Sequence, residues 1–158
     1  MVKIAFFGTP AFAVPSLERL LVEGEEVVVV VTQPDRPRGR GHHIKPSPVK
    51  VTASANNIPV LQPERAREPQ FARELASYQA DLGVVVAYGQ ILPDIILATP
   101  PAGLINVHAS LLPRYRGAAP IQRAVIAGEV ETGISMIRLI REMDAGPILA
   151  RLTRPIHN

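Results

Sequence analysis

Hydrophobic and polar positions follow two patterns along this chain. Unbroken apolar runs rich in β-branched residues are typical of strands covered on both faces in a parallel sheet. Apolar residues that recur every three to four positions are typical of amphipathic helices. The predicted strands are Lys3–Phe7, Val27–Val31, Val60–Leu61, Leu82–Ala87, Leu104–Val107, Thr132–Leu139 and Pro147–Pro155. The predicted helices are Val14–Val22, Pro48–Asn57 and Pro69–Tyr78.

This alternation of strands and helices predicts an α/β fold, with a doubly wound, mostly parallel, Rossmann-like sheet and helices on both faces. The chain has 158 residues, of which 47% are hydrophobic and 20% charged, as in a globular domain. No run approaches the ~18 apolar residues that a membrane span requires, so we expect no membrane association. The absence of cysteine fits a reducing compartment, and we expect a cytoplasmic protein.

Polar residues follow the strand that ends near Val107. In open α/β sheets, ligands bind beyond the carboxyl ends of the strands, where Asn106 and His108 lie. The two residues are two positions apart, so their side chains share a face of the strand. An asparagine amide stabilises an anion that forms on a carbonyl oxygen, and a histidine carries a proton near neutral pH. With a nearby carboxylate to favour the imidazolium, this pattern predicts acyl transfer between nitrogens.

Three other chemistries have weaker signals. The turn after the first strand, GTPAFA, has one of the three glycines of a dinucleotide-binding motif. Ser110, His108 and Asp144 supply the residue types of a serine hydrolase, but Ser110 lacks the flanking glycines of a nucleophile elbow. His42 and His43 are adjacent and have no carboxylate cluster beside them, so we expect no metal site.

The connection 33–50 is strongly basic. It holds five of the chain's basic residues against one acidic residue, whereas the net charge of the whole chain is +3. An irregular connection of this length in a compact domain is usually functional or disordered. Its cations predict an RNA partner, whose affinity would fall steeply with salt, or a smaller phosphorylated substrate. The alternative without a binding function is a charged loop that only contacts solvent.

Four stretches together resemble the formyltransferase family, whose formyl donor is 10-formyltetrahydrofolate. They are NVHASLLPRYRGAAPIQ with MDAGP downstream, FFGTPAFAVPSLERL, TQPDRPRGRG with KPSPVK, and VVVAYGQILP. The last three are similar to the branch of the family that formylates initiator methionyl-tRNA. The resemblance implies catalytic residues Asn106, His108 and Asp144. It implies folate-binding residues Ser110, Leu111, Leu112, Pro113, Tyr88, Gly89, Ile91 and Leu92, and tRNA-binding residues Arg36, Arg38, Arg40 and Lys45.

The resemblance covers essentially the whole chain and implies a monomeric catalytic domain over residues 1–158 for translation initiation. The tRNA-formylating branch carries a further β-barrel domain, which we expect to be absent from this chain. Because the chain ends at Asn158, before the usual close of the family's catalytic domain, we also expect that domain to be incomplete at its C-terminal end. Glu142 departs from the glycine that many members have two residues before the aspartate. Two alternatives stay open: formyl transfer to a small amine such as a nucleotide sugar or glycinamide ribonucleotide, and a non-catalytic folate- or RNA-binding fragment. We also expect exposed apolar surface around Ile148, Leu149 and Leu152.

Overall fold

The computed structural model describes residues 1–38 and 43–157. The chain forms two compact units, Met1–Leu104 and Ile105–Asn158. Arg40, which the sequence analysis assigns to tRNA binding, lies outside the described residues.

The first unit alternates strands and helices from its start. A single 3₁₀ turn, Ala11–Ala13, leads into the first helix. The elements are β1 (Lys3–Gly8), α1 (Val14–Val22), β2 (Glu26–Val31), β3 (Arg36–Arg38), β4 (His43–Lys45), α2 (Pro48–Ala55), β5 (Val60–Leu61), α3 (Pro69–Ser77), β6 (Leu82–Val86) and α4 (Asp94–Leu97).

The sheet of the first unit is parallel throughout. Strand β1 pairs with β2 on one side and β6 on the other, and β2 pairs with β5, which gives the order β5-β2-β1-β6. The chain therefore winds outward from β1 and then returns to its other side. Ala5, Phe6 and Phe7 on β1 and 29–31 on β2 are fully buried and form the core. In sheets of this topology, the reversal beside β1 leaves a crevice at the carboxyl ends of the strands.

Part of the predicted irregular connection 33–50 forms a hairpin. Strands β3 and β4 pair antiparallel, with Arg36 opposite Lys45, and they form a sheet of their own. Two contacts join the chain segments that enter and leave this hairpin. The Thr32 and Ser47 hydroxyls are hydrogen-bonded at 2.7 Å, and Ser47 Oγ also accepts from the Lys50 N–H at the start of α2. The hairpin therefore has a closed base.

The second unit is built on three antiparallel strands with the order β7-β8-β9. Every residue of β9 is exposed, including Ile148, Leu149 and Leu152 at 40%, 55% and 50%. The expected exposure of this apolar segment is confirmed. The elements are β7 (Leu104–His108), α5 (Pro120–Ile126), β8 (Glu131–Arg138) and β9 (Ile148–Pro155).

The α/β fold class with a mostly parallel sheet is confirmed, and each predicted strand and helix occurs within two residues of its expected bounds. The β3–β4 hairpin and α4 were not predicted, because three- and four-residue elements are too short to show a periodicity. No bounds were predicted for α5. Within residues 1–38 and 43–157, no helix has the length and hydropathy to cross a membrane.

Candidate active site

Strand β7 carries the predicted catalytic pair. Asn106 lies opposite Ile137 of β8, and His108 lies opposite Ser135. His108 is 7% exposed, whereas Asn106 is half-buried. The Asn106 side chain makes no hydrogen bond to any part of the chain that the structure describes. Its amide N–H groups are therefore available to a ligand oxygen.

The two nitrogens of the His108 ring face different groups. Nε2 lies 2.9 Å from the carbonyl oxygen of Tyr115, and Nδ1 lies 3.6 Å from Oδ2 of Asp144. Both groups only accept hydrogen bonds, but only the carbonyl is within hydrogen-bond distance, so Nε2 carries the hydrogen in this contact. In the neutral ring Nδ1 is then unprotonated, and a proton added to it is held close to a carboxylate. One ring nitrogen is thus hydrogen-bonded to the backbone and the other faces a carboxylate.

A backbone contact orients the Asp144 carboxylate. The N–H of Gly117 donates to Asp144 Oδ2 at 2.7 Å, and the aspartate side chain is 11% exposed. Asp144 has a left-handed backbone with φ 51°, a conformation that non-glycine residues rarely adopt. The structure thus brings His108 and Asp144 together as the sequence analysis predicted, in a turn between β8 and β9.

Ser110 is fully buried and both of its polar groups are used internally. Its hydroxyl donates to the Arg114 carbonyl at 2.6 Å, and its carbonyl accepts from the Ser135 hydroxyl at 2.7 Å. Ser135 Oγ in turn accepts the Leu112 N–H at 3.0 Å. A nucleophile needs a free hydroxyl beside its base, so this geometry argues against the serine hydrolase alternative.

The rest of the predicted folate-binding segment differs in exposure along its length. Leu112 is 3% exposed and its carbonyl accepts from the Arg151 guanidinium at 2.6 Å. Leu111 is half-buried, and Pro113 is exposed. Leu111 and Pro113 are therefore the members of this segment whose side chains can reach a ligand.

Tyr88 is a core residue of the first unit. It is 2% exposed and packs edge-on against Phe7, with ring centroids 5.6 Å apart. Burial raises the pKa of its phenol, which therefore stays neutral. Its hydroxyl is buried and has no hydrogen-bond partner among the described residues. Its carbonyl accepts from the Thr9 hydroxyl at 2.8 Å, at the carboxyl end of β1.

The residues after Tyr88 are more accessible. Gly89 is exposed and has φ 92°, Ile91 is 79% exposed, and Leu92 is half-buried. A Cβ on Gly89 would lie 3.1 Å from the Gln33 side-chain amide. Ile91 is thus an exposed apolar side chain close in sequence to the carboxyl end of β6.

Charged side chains at the base of the hairpin form an ion pair, whereas two basic side chains on its strands have no ion-pair partner among the described residues. Lys50 Nζ lies 2.5 Å from Asp35 Oδ2, and the Gln62 amide donates to Asp35 Oδ1 at 2.7 Å. These hydrogen bonds hold the pKa of Asp35 below its usual value. Arg36 and Lys45 are exposed and form no ion pair within residues 1–38 and 43–157. Like charges directly opposite on a hairpin repel, and a bound anion relieves that cost.

Arg38 belongs to β3 opposite His43. Of the four residues predicted to bind tRNA, Arg36, Arg38 and Lys45 are therefore on one hairpin.

Sequence reasoning missed the residues that hold His108 and Asp144. Tyr115, with φ 57°, supplies the carbonyl at His108 Nε2, and its hydroxyl donates to Glu129 at 2.6 Å. Gly117 holds the aspartate. Tyr115 stands out in sequence as an aromatic residue between two arginines, but nothing in the pattern pairs it with a glutamate fourteen positions later.

The structure thus places an amide donor, an imidazole and a carboxylate, those of Asn106, His108 and Asp144, on β7 and in the turn between β8 and β9. The sequence profile of the formyl transferase family matches residues 2–158, and the chain belongs to this family.

Curated relatives are similar over nearly the whole chain. It is 52% identical over 154 residues to the methionyl-tRNA formyltransferase of Pelobacter propionicus, and 54% identical over 154 residues to that of Stutzerimonas stutzeri. Both alignments cover 98% of this chain, but only 48% and 49% of the relatives. The chain thus spans about half the length of the curated relatives that it matches.

Solved structures share the fold at lower sequence identity. The phosphoribosylglycinamide formyltransferase of Bacillus halodurans has a TM-score of 0.80 and 22% identity, covering 98% of this chain and 80% of that one. A formyltetrahydrofolate deformylase from Pseudomonas syringae has a TM-score of 0.76 and 20% identity, covering 98% of this chain and 51% of that one. These similarities establish the fold.

Proposed function

We propose that residues 1–158 form a formyltransferase catalytic domain that transfers a formyl group from 10-formyltetrahydrofolate to the amino group of initiator methionyl-tRNA. The observation that carries the proposal is the Asn106 amide, which has no hydrogen-bond partner among the described residues and lies on the same strand as His108, whose Nδ1 faces Asp144 at 3.6 Å. The curated relatives named methionyl-tRNA formyltransferase support the choice of acceptor.

Each catalytic residue has a separate role in the proposed reaction. Asn106 donates an N–H to the formyl oxygen, which becomes negatively charged when the amine attacks the formyl carbon. His108 takes up the proton that the amine releases and gives a proton to the folate nitrogen as its bond to carbon breaks. Asp144 stabilises the imidazolium between these two transfers. The net result moves one formyl group in exchange for one proton.

Each predicted folate-binding segment has apolar side chains that a folate donor could contact. Leu111 and Pro113 in the second unit and Ile91 in the first are the apolar members with accessible side chains. Leu112 and Tyr88 would support the segments from inside their own units, because both side chains are buried.

The tRNA would be held by the β3–β4 hairpin. Arg36 and Lys45 are exposed, lie opposite each other and lack ion-pair partners among the residues described, so phosphates would relieve their mutual repulsion. Arg38 and Arg40 are the other two residues of this connection that the sequence assigns to tRNA binding. We place the reaction in the cytoplasm, where aminoacylated tRNA is used.

A small amine is the second candidate acceptor. The observation in its favour is the TM-score of 0.80 to phosphoribosylglycinamide formyltransferases, whose names specify such an acceptor. Relatives at 52–54% identity, however, are named for methionyl-tRNA. We therefore favour the tRNA acceptor.

A formylation assay separates the candidates. Two proteins are assayed: the chain alone, and the chain fused to the remaining segment of the Pelobacter propionicus relative. Each is incubated with 10-formyltetrahydrofolate and either methionyl-tRNA or glycinamide ribonucleotide. Formylmethionyl-tRNA from the fusion, absent with Asn106→Ala, is the expected product. Formylation of glycinamide ribonucleotide alone would transfer the assignment to the small amine. A folded fusion that binds folate and formylates neither acceptor would refute the proposal.

A further inference from the structure

The carbonyl of Tyr115 determines which nitrogen of His108 is free. His108 Nε2 is 2.9 Å from that carbonyl, which accepts but cannot donate a hydrogen bond. Asp144 Oδ2, 3.6 Å from Nδ1, is beyond hydrogen-bond distance, so the hydrogen of the neutral ring is on Nε2 and Nδ1 has the lone pair. If the carbonyl turned away, the ring would lose this preference, and either nitrogen would carry the hydrogen. The position of the Tyr115 backbone thus governs the chemistry of the histidine.

The Tyr115 backbone has an unfavourable conformation. Its φ of 57° is in the left-handed region, where a side chain with a Cβ is disfavoured relative to glycine. Such a conformation persists only when the surrounding structure holds it. The contacts of the tyrosine side chain provide that restraint.

Three side chains surround the Tyr115 ring. Its hydroxyl donates to Oε1 of Glu129 at 2.6 Å, and the same oxygen pairs with the Arg114 guanidinium. The guanidinium carbons of Arg114 and Arg123 lie 5.5 Å and 5.4 Å from the ring centroid, within cation–π range. Glu129 therefore binds both the tyrosine and one of the arginines that stack on it.

Glu129 is itself fixed at the end of a helix. Its N–H donates to the carbonyl of Ala124 in α5 at 3.1 Å, and its side chain is 19% exposed. Arg123 on the same helix donates to the Arg116 carbonyl at 2.6 Å. The loop that carries Tyr115 is thus attached to α5 at two points.

The protonation states of the pair keep this contact in place. The hydrogen bond from Tyr115 lowers the pKa of the Glu129 carboxyl. The same hydrogen bond raises the pKa of the Tyr115 phenol. Near neutral pH the glutamate is a carboxylate and the tyrosine a neutral donor, as the contact requires.

We infer that Glu129 is a positioning residue that acts through Tyr115: it keeps the Tyr115 carbonyl on His108 Nε2 and so leaves Nδ1, the nitrogen facing Asp144, to exchange the proton. The inference rests on the proposed formyl transfer. In that reaction Nδ1 takes the proton released by the attacking amine and returns one to the leaving nitrogen, so the ring ends as it began. Glu129 contacts neither substrate nor the histidine.

The direct test is the tautomer of His108, measured by ¹⁵N NMR on the chain without substrates. The parent chain is expected to show a single neutral form with the hydrogen on Nε2. Glu129→Ala is expected to give a mixture of the two forms, and Glu129→Gln, which keeps an acceptor oxygen, a smaller shift. The matched control is Glu131→Gln, since Glu131 is exposed at the start of β8. An Nε2–H form that is unchanged in Glu129→Ala would overturn the inference.

Kinetics provide the second measurement, made on whichever form of the chain formylates its acceptor. Glu129→Ala is expected to lower kcat by about ten- to a hundredfold, because small displacements of a catalytic group have effects of this size. KM for either substrate should change less than twofold. Unchanged kcat in Glu129→Ala, with formyl transfer intact in the parent chain, refutes the inference and leaves the proposed function standing.

Tyr115→Phe breaks the same hydrogen bond from the other side, so it tests the inference even if Glu129→Ala folds poorly. It removes the hydroxyl but keeps the ring between the two guanidinium groups. It should shift the tautomer and kcat in the same direction as Glu129→Ala, and the double variant should be no worse than the stronger single one. Additive effects would mean that the glutamate does not act through the tyrosine. A parent chain that formylates neither acceptor refutes the proposed function instead, while the NMR result still decides the positioning.

Discussion

The N–H of Gly117 holds Oδ2 of Asp144 at 2.7 Å, and that oxygen is the one that faces His108 Nδ1 at 3.6 Å. The backbone of one loop thus controls both sides of the imidazole, since the Tyr115 carbonyl from the same loop meets Nε2. The histidine and the aspartate are 36 positions apart in sequence, and residues 115–117 supply the contacts that fix their geometry.

Asp144→Asn tests the charge separately from this geometry. The asparagine can still accept the Gly117 N–H, but it no longer stabilises the imidazolium. We expect kcat for formyl transfer to fall by about 10²-fold or more, with little change in melting temperature. Asp144→Ala, which also leaves the Gly117 N–H without this acceptor, should lower both. Equal kcat in Asp144→Asn and the parent chain would exclude the electrostatic role.

Asn106→Ala should affect the rate of formyl transfer, whereas Ser110→Ala should affect the stability of the fold. Asn106→Ala removes a donor aimed at the developing oxyanion, so we expect kcat to fall about 10²–10³-fold with the fold intact. Ser110→Ala leaves the Arg114 carbonyl without its buried hydroxyl donor and should cost about 1–3 kcal/mol of unfolding free energy. Urea titration and single-turnover kinetics on both variants test the pair. A larger loss of kcat in Ser110→Ala than in Asn106→Ala would restore the hydrolase interpretation.

The hairpin should set the salt dependence of RNA binding. Replacing both Arg36 and Lys45 with alanine removes two exposed cations and should reduce the slope of log K against log salt by about two units if each contacts a phosphate. Filter binding of tRNA at several salt concentrations measures the slope.

The control for this hairpin variant is Arg65→Ala combined with Arg67→Ala, which removes two exposed cations outside the hairpin. Equal slopes for the two double variants would mean that the hairpin does not contact the phosphates.

Asp35 should contribute to stability in a defined pH window. Its pKa is lowered by hydrogen bonds from Lys50 and Gln62, so the folded state binds its proton less readily than the unfolded state. The stabilisation is therefore complete above the ordinary pKa of 3.8 and is lost as pH falls through the lower folded-state pKa. The stability difference between the parent chain and Asp35→Asn should shrink between pH 6 and about pH 3. Urea unfolding at each pH measures it, and a constant difference would contradict the assignment.

Two glycines in the second unit should differ sharply in their tolerance of alanine. A Cβ on Gly133 would lie 2.6 Å from Leu111 Cδ2 and closer still to the Leu152 carbonyl, so Gly133→Ala should destabilise the fold by about 3 kcal/mol. A Cβ on Gly128 meets nothing within 4 Å, and its φ of 70° should make Gly128→Ala cost about 1 kcal/mol. Thermal melts compare them. Similar losses would indicate that the strands around Gly133 adjust.

Elements with a strong local pattern were predictable from sequence. The valine run of β2 and the leucine spacing of α1 depend on burial of neighbouring positions, which hydropathy reports directly. The β3–β4 hairpin was read as an irregular loop, because Arg36, Pro37 and Arg38 have none of the alternation of a half-buried strand. Its two short strands pair with each other on the surface instead.

Asn106 and His108 were predictable as a pair because a strand fixes the direction of residues two apart. Asp144 was assigned as the carboxylate of the acyl-transfer site only through the family resemblance. The contacts of Tyr115 and Gly117 depend on left-handed backbone conformations, with φ of 57° and 81°. The order of residues along this segment does not predict these conformations. Residues that act through their carbonyl or N–H leave no side-chain signature, so this part of the site required coordinates.

The contacts at the base of the β3–β4 hairpin hold its two ends together independently of the residues between them. Thr32 with Ser47 and Asp35 with Lys50 bind its two ends together, so the sheet of the first unit meets the same pair of chain ends whatever lies between them. The segment between these contacts can therefore gain, lose or exchange residues without changing its attachment to the sheet. Grafting a hairpin of different length or charge onto this base should therefore leave the strands and helices of the first unit as they are.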